Sequence, residues 1–219
     1  GREPDFRYDL PWPLVHLSRD GDESAARAWP FYVRTTTPEI DSRVWLWPFV
    51  WWRETRGRTL EEGYPPRDFD RRDLHLVPIW HHSVRTVDGR DGADTQHQLW
   101  PLYHRDATAK GRLDAAFPSL MPLRNFEFLK PVEELYGPFW TLWRQRSDGR
   151  QHETRWLFDT VLWRRSPEGL RVSIPLLYAQ RPLGDGGHAR QLLWGLFGWR
   201  TDTTGLSAVS LLGWDLWAR

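Results

Sequence analysis

A short unit, apolar–Pro–apolar, recurs from end to end of this chain and limits what it can fold into more than any other feature. It reads Trp12-Pro13-Leu14, Trp29-Pro30-Phe31, Trp47-Pro48-Phe49, Val77-Pro78-Ile79, Trp100-Pro101-Leu102, Met121-Pro122-Leu123, Gly137-Pro138-Phe139 and Ile174-Pro175-Leu176. Three more copies lack the proline: Trp156-Leu157-Phe158, Trp194-Gly195-Leu196 and Leu212-Gly213-Trp214. The usual interval is about 18 residues, which marks a repeat architecture. Between copies lie turn-formers such as Asp20-Gly21-Asp22, Asp88-Gly89, Asp148-Gly149, Gly184 to Gly187 and Thr201 to Gly205. A solenoid coil needs at least two corners per period, whereas one turn in the middle of each interval describes antiparallel hairpins joined as a meander.

The fold class expected is therefore all-β. The reading is an antiparallel meander of about eleven strands, spanning roughly 6–18, 25–37, 43–55, 73–86, 94–106, 116–125, 138–147, 152–165, 170–181, 188–200 and 206–219. Each repeat unit is taken as the midpoint of one strand. Proline cannot donate to a β-ladder, so a row of prolines across a sheet requires every strand to bend or bulge there. Such bends predict a strongly coiled sheet, an orthogonal sandwich or a partly closed barrel. Residues 1–219 read as one repetitive domain, with a sub-division near 126–137 and a charged surface insertion at 54–72. A short helix is expected after Pro131.

Side chains alternate across a strand. The residues flanking each central position then form a core face, and those two places beyond it form a second face. That second face carries Tyr32, Trp80, Tyr103, Trp140 and Phe197, and is too aromatic for a solvated surface. These five residues are the expected interaction surface, with stacking of sugar rings as an alternative use.

The unit Trp-Pro-Leu/Phe-aromatic, best seen in Trp100-Pro101-Leu102-Tyr103 and Trp29-Pro30-Phe31-Tyr32, resembles that of uncharacterised bacterial tandem-repeat β proteins. The resemblance covers most of the chain outside 54–72 and 126–137. It implies an all-β protein of the cell envelope and carries no activity or functional residue with it.

Composition narrows the function. There are 30 basic and 29 acidic residues, interspersed, and the basic ones are nearly all Arg; no basic stripe points to nucleic acid. Cysteine is absent, which removes disulfides, thiolate metal sites and a Cys nucleophile. Residue 1 is Gly, so a removed leader or a start inside a longer chain is expected. No Gly-x-Ser-x-Gly elbow or phosphate-cradling glycine loop occurs, so no catalytic residue and no cofactor is expected. Asp9, Asp159 and Asp215 lie in apolar surroundings and are expected to pair with arginines.

Histidine offers the nearest approach to a metal site. Setting the strands of Pro78 and Pro101 side by side places His82 opposite His97 and His75 opposite His104. Neither pair has an evident third ligand, and a one-residue slip removes both; no metal site is expected, and polar positions near strand ends are the ordinary reading.

The function expected is a non-catalytic structural or accessory protein of the bacterial envelope, in the periplasm or at the outer membrane. It docks through its aromatic β surface on a protein partner or larger assembly near a membrane. The alternatives are an outer-membrane β-barrel, with Trp163, Trp199 and Trp217 in an interfacial girdle, and a carbohydrate-binding module.

Overall fold

Proline lacks an N–H, and in this chain that missing donor marks chain reversals rather than bends within strands. The computed structural model describes all residues except 1–4, 10–13, 60–64, 122–129, 184, 185 and 219. Among the described residues, the units around Pro30, Pro48, Pro78 and Pro101 are tight reversals between antiparallel neighbours. The units around Leu157, Pro175, Gly195 and Gly213 are reversals too. The unit at Pro138 forms a single 3-10 turn, Gly137–Phe139. Those at Pro13 and Pro122 fall on residues outside the description.

The outcome, among the described residues, is twenty short strands instead of eleven long ones. The expected midpoint of each strand is an end shared by two. The antiparallel meander and the all-β class stand; the central Pro/Gly bend does not. The peptide bonds before Pro30, Pro48, Pro78, Pro101 and Pro118 are cis. The copies without proline turn through residues of positive φ, namely Leu157, Phe158, Asp159, Leu193, Trp194 and Leu212, and Leu46 and Leu176, near Pro48 and Pro175, share that conformation.

The chain divides into two compact units, residues 1–109 and 110–219. The division lies in the turn before Leu113. The first unit contains β1 (Phe6–Asp9), β2 (Val15–Asp20), β3 (Glu23–Ala28), β4 (Tyr32–Thr36), β5 (Ile40–Trp45), β6 (Val50–Thr59), β7 (Arg67–Leu76), β8 (Trp80–Val87), β9 (Ala93–Leu99) and β10 (Tyr103–Ala107). The second contains β11 (Leu113–Phe117), a seven-residue helix α1 (Lys130–Tyr136), β12 (Trp143–Ser147), β13 (His152–Trp156), β14 (Val161–Ser166), β15 (Gly169–Ile174), β16 (Tyr178–Pro182), β17 (His188–Leu192), β18 (Phe197–Asp202), β19 (Gly205–Leu211) and β20 (Trp214–Ala218). Within each unit, every described pairing joins strands adjacent in the chain, and all are antiparallel. Among the described residues, no pairing closes either meander into a barrel.

The charged stretch 54–72 lengthens a hairpin. Its residues extend β6 and β7 to ten residues each, with Thr59 opposite Arg67. The charges sit in cross-strand contact: Arg58 lies 3.1 Å from Asp68, and Arg72 lies 3.6 Å from Glu54.

Among the described residues a conventional core is missing. The buried apolar residues are small, namely Val87, Ala115, Ala116, Val172, Ala189 and Ala208, while 39 large apolar side chains are exposed. The accessible surface is 15473 Å², against about 10,500 Å² for a folded monomer of 26.0 kDa by the usual size scaling. The sheets are held instead by their ladders, by ion-pair clusters and by arginines laid on aromatic rings. Asp41 takes Arg43 at 3.0 Å and Arg34 at 3.4 Å. Glu153 is gripped by Arg155 and Arg164. Arg43 stacks on Trp52 and Arg85 on Phe69, at 4.9 and 4.7 Å from the ring centroids. The three carboxylates singled out in the sequence have cationic partners: Asp9 with Arg7, Asp159 with Arg155 and Asp215 with Arg200.

Candidate functional site

Because reversals of one kind follow those of the other, each unit has two unlike edges. One edge carries the Asp-Gly type turns, whose exposed backbone is capped by polar side chains. Asp148 Oδ1 accepts from the N–H of Arg150 and Gln151, and Asp202 Oδ1 accepts from the N–H of Gly205. The other edge carries the Trp-Pro-apolar turns and their counterparts without proline. We call it the rim.

In the first unit the rim exposes Trp29, Phe31, Leu46, Trp47, Phe49, Ile79 and Leu102; in the second it exposes Leu157, Phe158, Leu176, Leu177, Leu193, Trp194, Leu212 and Trp214. Trp194 is 88% and Trp214 is 79% exposed. The terminal strand residues along this edge continue the apolar band. In the first unit this row is Val15, Ala28, Tyr32, Trp45, Val50, Leu76, Trp80, Leu99 and Tyr103. In the second it is Phe117, Trp143, Trp156, Val161, Ile174, Tyr178, Leu192, Phe197, Leu211 and Trp214. No residue of either row is charged.

The backbone of the rim is largely satisfied from within. Each reversal bonds to its neighbour along the edge: Leu46 N donates to Phe31 O, Trp47 N to Pro30 O, Val77 N to Phe49 O and Trp100 N to Ile79 O, at 2.7–2.9 Å. In the second unit Leu157 N donates to Leu142 O, Phe158 N to Thr141 O, Leu193 N to Leu177 O and Leu212 N to Leu196 O, at 2.8–3.0 Å. The β-ladder thus continues through its own turns. Where proline occupies the tip, it presents no donor at all.

Four of the five residues expected on an interaction surface, Tyr32, Trp80, Tyr103 and Phe197, stand in the row just above the rim. Trp140 follows the 3-10 turn and stacks on Tyr136, with ring centroids 6.4 Å apart. The sequence reading missed the tips themselves, Trp29, Phe31, Trp47, Phe49 and Trp194. It assigned the flanking positions to a core, since it equated apolar with buried.

The histidines lie one and two residues above that row. His82 is opposite His97, as the spacing predicts, with ring centroids 5.5 Å apart and Trp80 stacked on His82. His75 is not opposite His104. It faces His81 across the Pro78 reversal, and His104 faces Gln98. The predicted pair fails because Pro78 ends a strand, leaving β8 and β9 between His75 and His104. The rings of His75 and His81 stack with centroids 4.2 Å apart. Asp73, two residues before His75 and so on its face, brings a carboxylate to them. One ligand atom from each of Asp73, His75 and His81 lies within 4.8 Å of the others.

Asp73 and His81 are each 7% exposed. Burial pushes the Asp73 carboxyl up, but hydrogen bonds from His81 and Ser83 and the adjacent Arg71 outweigh it and hold the group well below the usual carboxylate range. Burial, reinforced by the neighbouring His81, brings His75 down to about 4, so its imidazole is neutral at pH 7. The signal for this trio was legible: Asp73-Leu74-His75 spaces two ligands on one strand face, and residues 75 and 81 are equidistant from Pro78.

The chain matches no family model, no curated protein and no solved structure. Among the described residues, no helix is long and apolar enough to cross a membrane.

Proposed function

We propose that this protein is a non-catalytic structural protein of the bacterial envelope that lies on a membrane surface and dips its apolar rim into the lipid–water interface. The observation that carries this reading is the coincidence, along one edge, of bulky apolar tips with a backbone that bonds to itself. Backbone groups in hydrocarbon must find partners within the protein, and turns that bond to one another meet that demand. A protein partner would offer its own hydrogen-bonding groups and would impose no such requirement.

Depth supports the same reading. A turn and its first strand residue span about 7–10 Å at roughly 3.3 Å per residue, close to the 5–10 Å reached by interfacial elements. Trp and Tyr suit that zone because each has an apolar body and a polar tip. Arg27 stands exposed in the second row, at a height suited to lipid phosphates, while Arg144 and Arg155 at the same height are taken up by Asp114 and by Glu153 and Asp159. The ion-pair clusters of Asp41 and Glu153 lie farther up, where water is available.

Strand length argues against a spanning barrel. Most strands have four to eight residues, fewer than the 9–11 a membrane strand requires, and the two longest carry charges through their outer halves. Carbohydrate stacking is disfavoured at Trp80, since His82 already lies parallel to it.

The test is co-sedimentation of the purified chain with vesicles of phosphatidylethanolamine and phosphatidylglycerol, combined with tryptophan quenching by brominated lipids. The expected result is vesicle-bound protein quenched most strongly by bromines near the headgroup. A chain that stays in the supernatant at every lipid concentration would overturn the proposal.

A further inference from the structure

The strand face just above the rim carries Asp73, His75 and His81 as a group, and nothing in the membrane-docking reading uses them. We infer that they form a binding site for a divalent first-row transition ion of the zinc type. Three arguments support this, independently of whether the rim meets lipid.

The first is geometry. Two imidazoles and one carboxylate present ligand atoms within 4.8 Å of one another. Around a tetrahedral zinc, atoms at about 2.1 Å from the metal lie roughly 3.4 Å apart. Small rotations of the two histidine rings and of the Asp73 carboxylate close that gap. The backbone holds still, since His75 and His81 are a cross-strand pair one step in from a reversal.

The second is the chemistry of the donors. Imidazole nitrogen and carboxylate oxygen together suit zinc, cobalt and nickel better than calcium or magnesium, which prefer all-oxygen shells.

The third is supporting structure. Ser83 lies opposite Asp73 and bonds to its carboxylate, and Gln98 lies opposite His81. Both are buried polar groups, placed to orient the ligands as outer-shell partners do. Arg71 is the opposing feature. Its Nε reaches Asp73 at 3.0 Å, so a cation must displace or share the contact. This gives the proposal a signature: removing Arg71 should strengthen binding, which an incidental histidine cluster would not show in the same pattern.

The experiment titrates the full chain with Co²⁺ and follows visible absorption, with Zn²⁺ competition as the second readout. Expected are one Co²⁺ per chain with the intense bands of a four-coordinate site, loss of at least about a hundredfold in affinity in Asp73→Asn and His81→Ala, and tighter binding in Arg71→Ala. His82→Ala, whose side chain is on the other face, should bind as the parent does. Circular dichroism on each variant separates loss of ligand from loss of fold, and Asp73→Asn preserves shape where His81→Ala does not. Absence of a Co²⁺ spectrum, binding that survives Asp73→Asn and His81→Ala, or equal loss in His82→Ala would each overturn the assignment.

Discussion

Replacing Trp47 and Phe49 together by serine removes the centre of one rim turn and tests the membrane reading quantitatively. The two side chains belong to residues 50% and 55% exposed, so each leaves on the order of 100 Å² of aromatic surface in water, from side-chain areas of roughly 150–250 Å². Full transfer of about 200 Å² out of water corresponds to about 5 kcal/mol at roughly 25 cal/mol/Å². The interfacial zone stays partly hydrated, and about half of that is a reasonable yield. The expected loss of about 2.5 kcal/mol is a weakening of vesicle partitioning by roughly 60-fold. Titrating lipid against fixed protein and reading bound fraction by sedimentation measures it directly. The matched control is Leu206→Ser, since Leu206 is 47% exposed but is the second residue of β19, at the polar edge. The reasoning is refuted if the double variant partitions like the parent, or if Leu206→Ser weakens binding as much.

Further expectations concern stability. In metal-free protein, His75 takes up a proton near pH 6.5 when unfolded and only at about 4 when folded. The unfolded chain therefore gains its proton first as pH falls, and the contribution present above 6.5 is lost on the way to 4. That amounts to at most about 3 kcal/mol, or about 2 after allowing for solvent around the half-buried ring; urea midpoints across this range should fall, and less steeply in His75→Asn. Gly169 has φ +132°, and a Cβ there would sit 2.9 Å from Pro182 Cβ; Gly169→Ala should lower unfolding free energy by about 1–3 kcal/mol. Gly21→Ala, with φ +57° and open space around it, should cost only about 1 kcal/mol. Glu153→Gln leaves Arg155 and Arg164 without their shared carboxylate. A loss of about 1–3 kcal/mol in chemical denaturation is expected.

The meander was legible in the sequence because two kinds of turn-former alternate along it, and because a period near 18 suits antiparallel pieces. What misled the reading was treating Trp45 to Trp52 as the heart of a strand. An apolar peak marks a buried midpoint only where there is a core to bury it, and this chain has none among its described residues. The warning was present in the prolines: several at one height cannot all sit inside a ladder, and a full reversal resolves the conflict more simply than a bend. The same error decided the histidines. His82 and His97 lie on strands joined by the polar turn at 88–92, so their pairing was unaffected. His75 and His81 straddle Pro78 and became partners only once the chain turned there. The left-handed conformations of Leu157, Phe158 and Trp194 had no sequence signature, since bulky residues rarely adopt them.

The turn-to-turn bonding described above also bears on how such a chain can change in evolution. Each described pairing joins strands consecutive in the chain, so excising one whole out-and-back segment brings together ends of matching direction and height. Gain or loss of such segments would shorten or lengthen the apolar rim without disturbing its neighbours, leaving its length free to vary while the local chemistry stays the same.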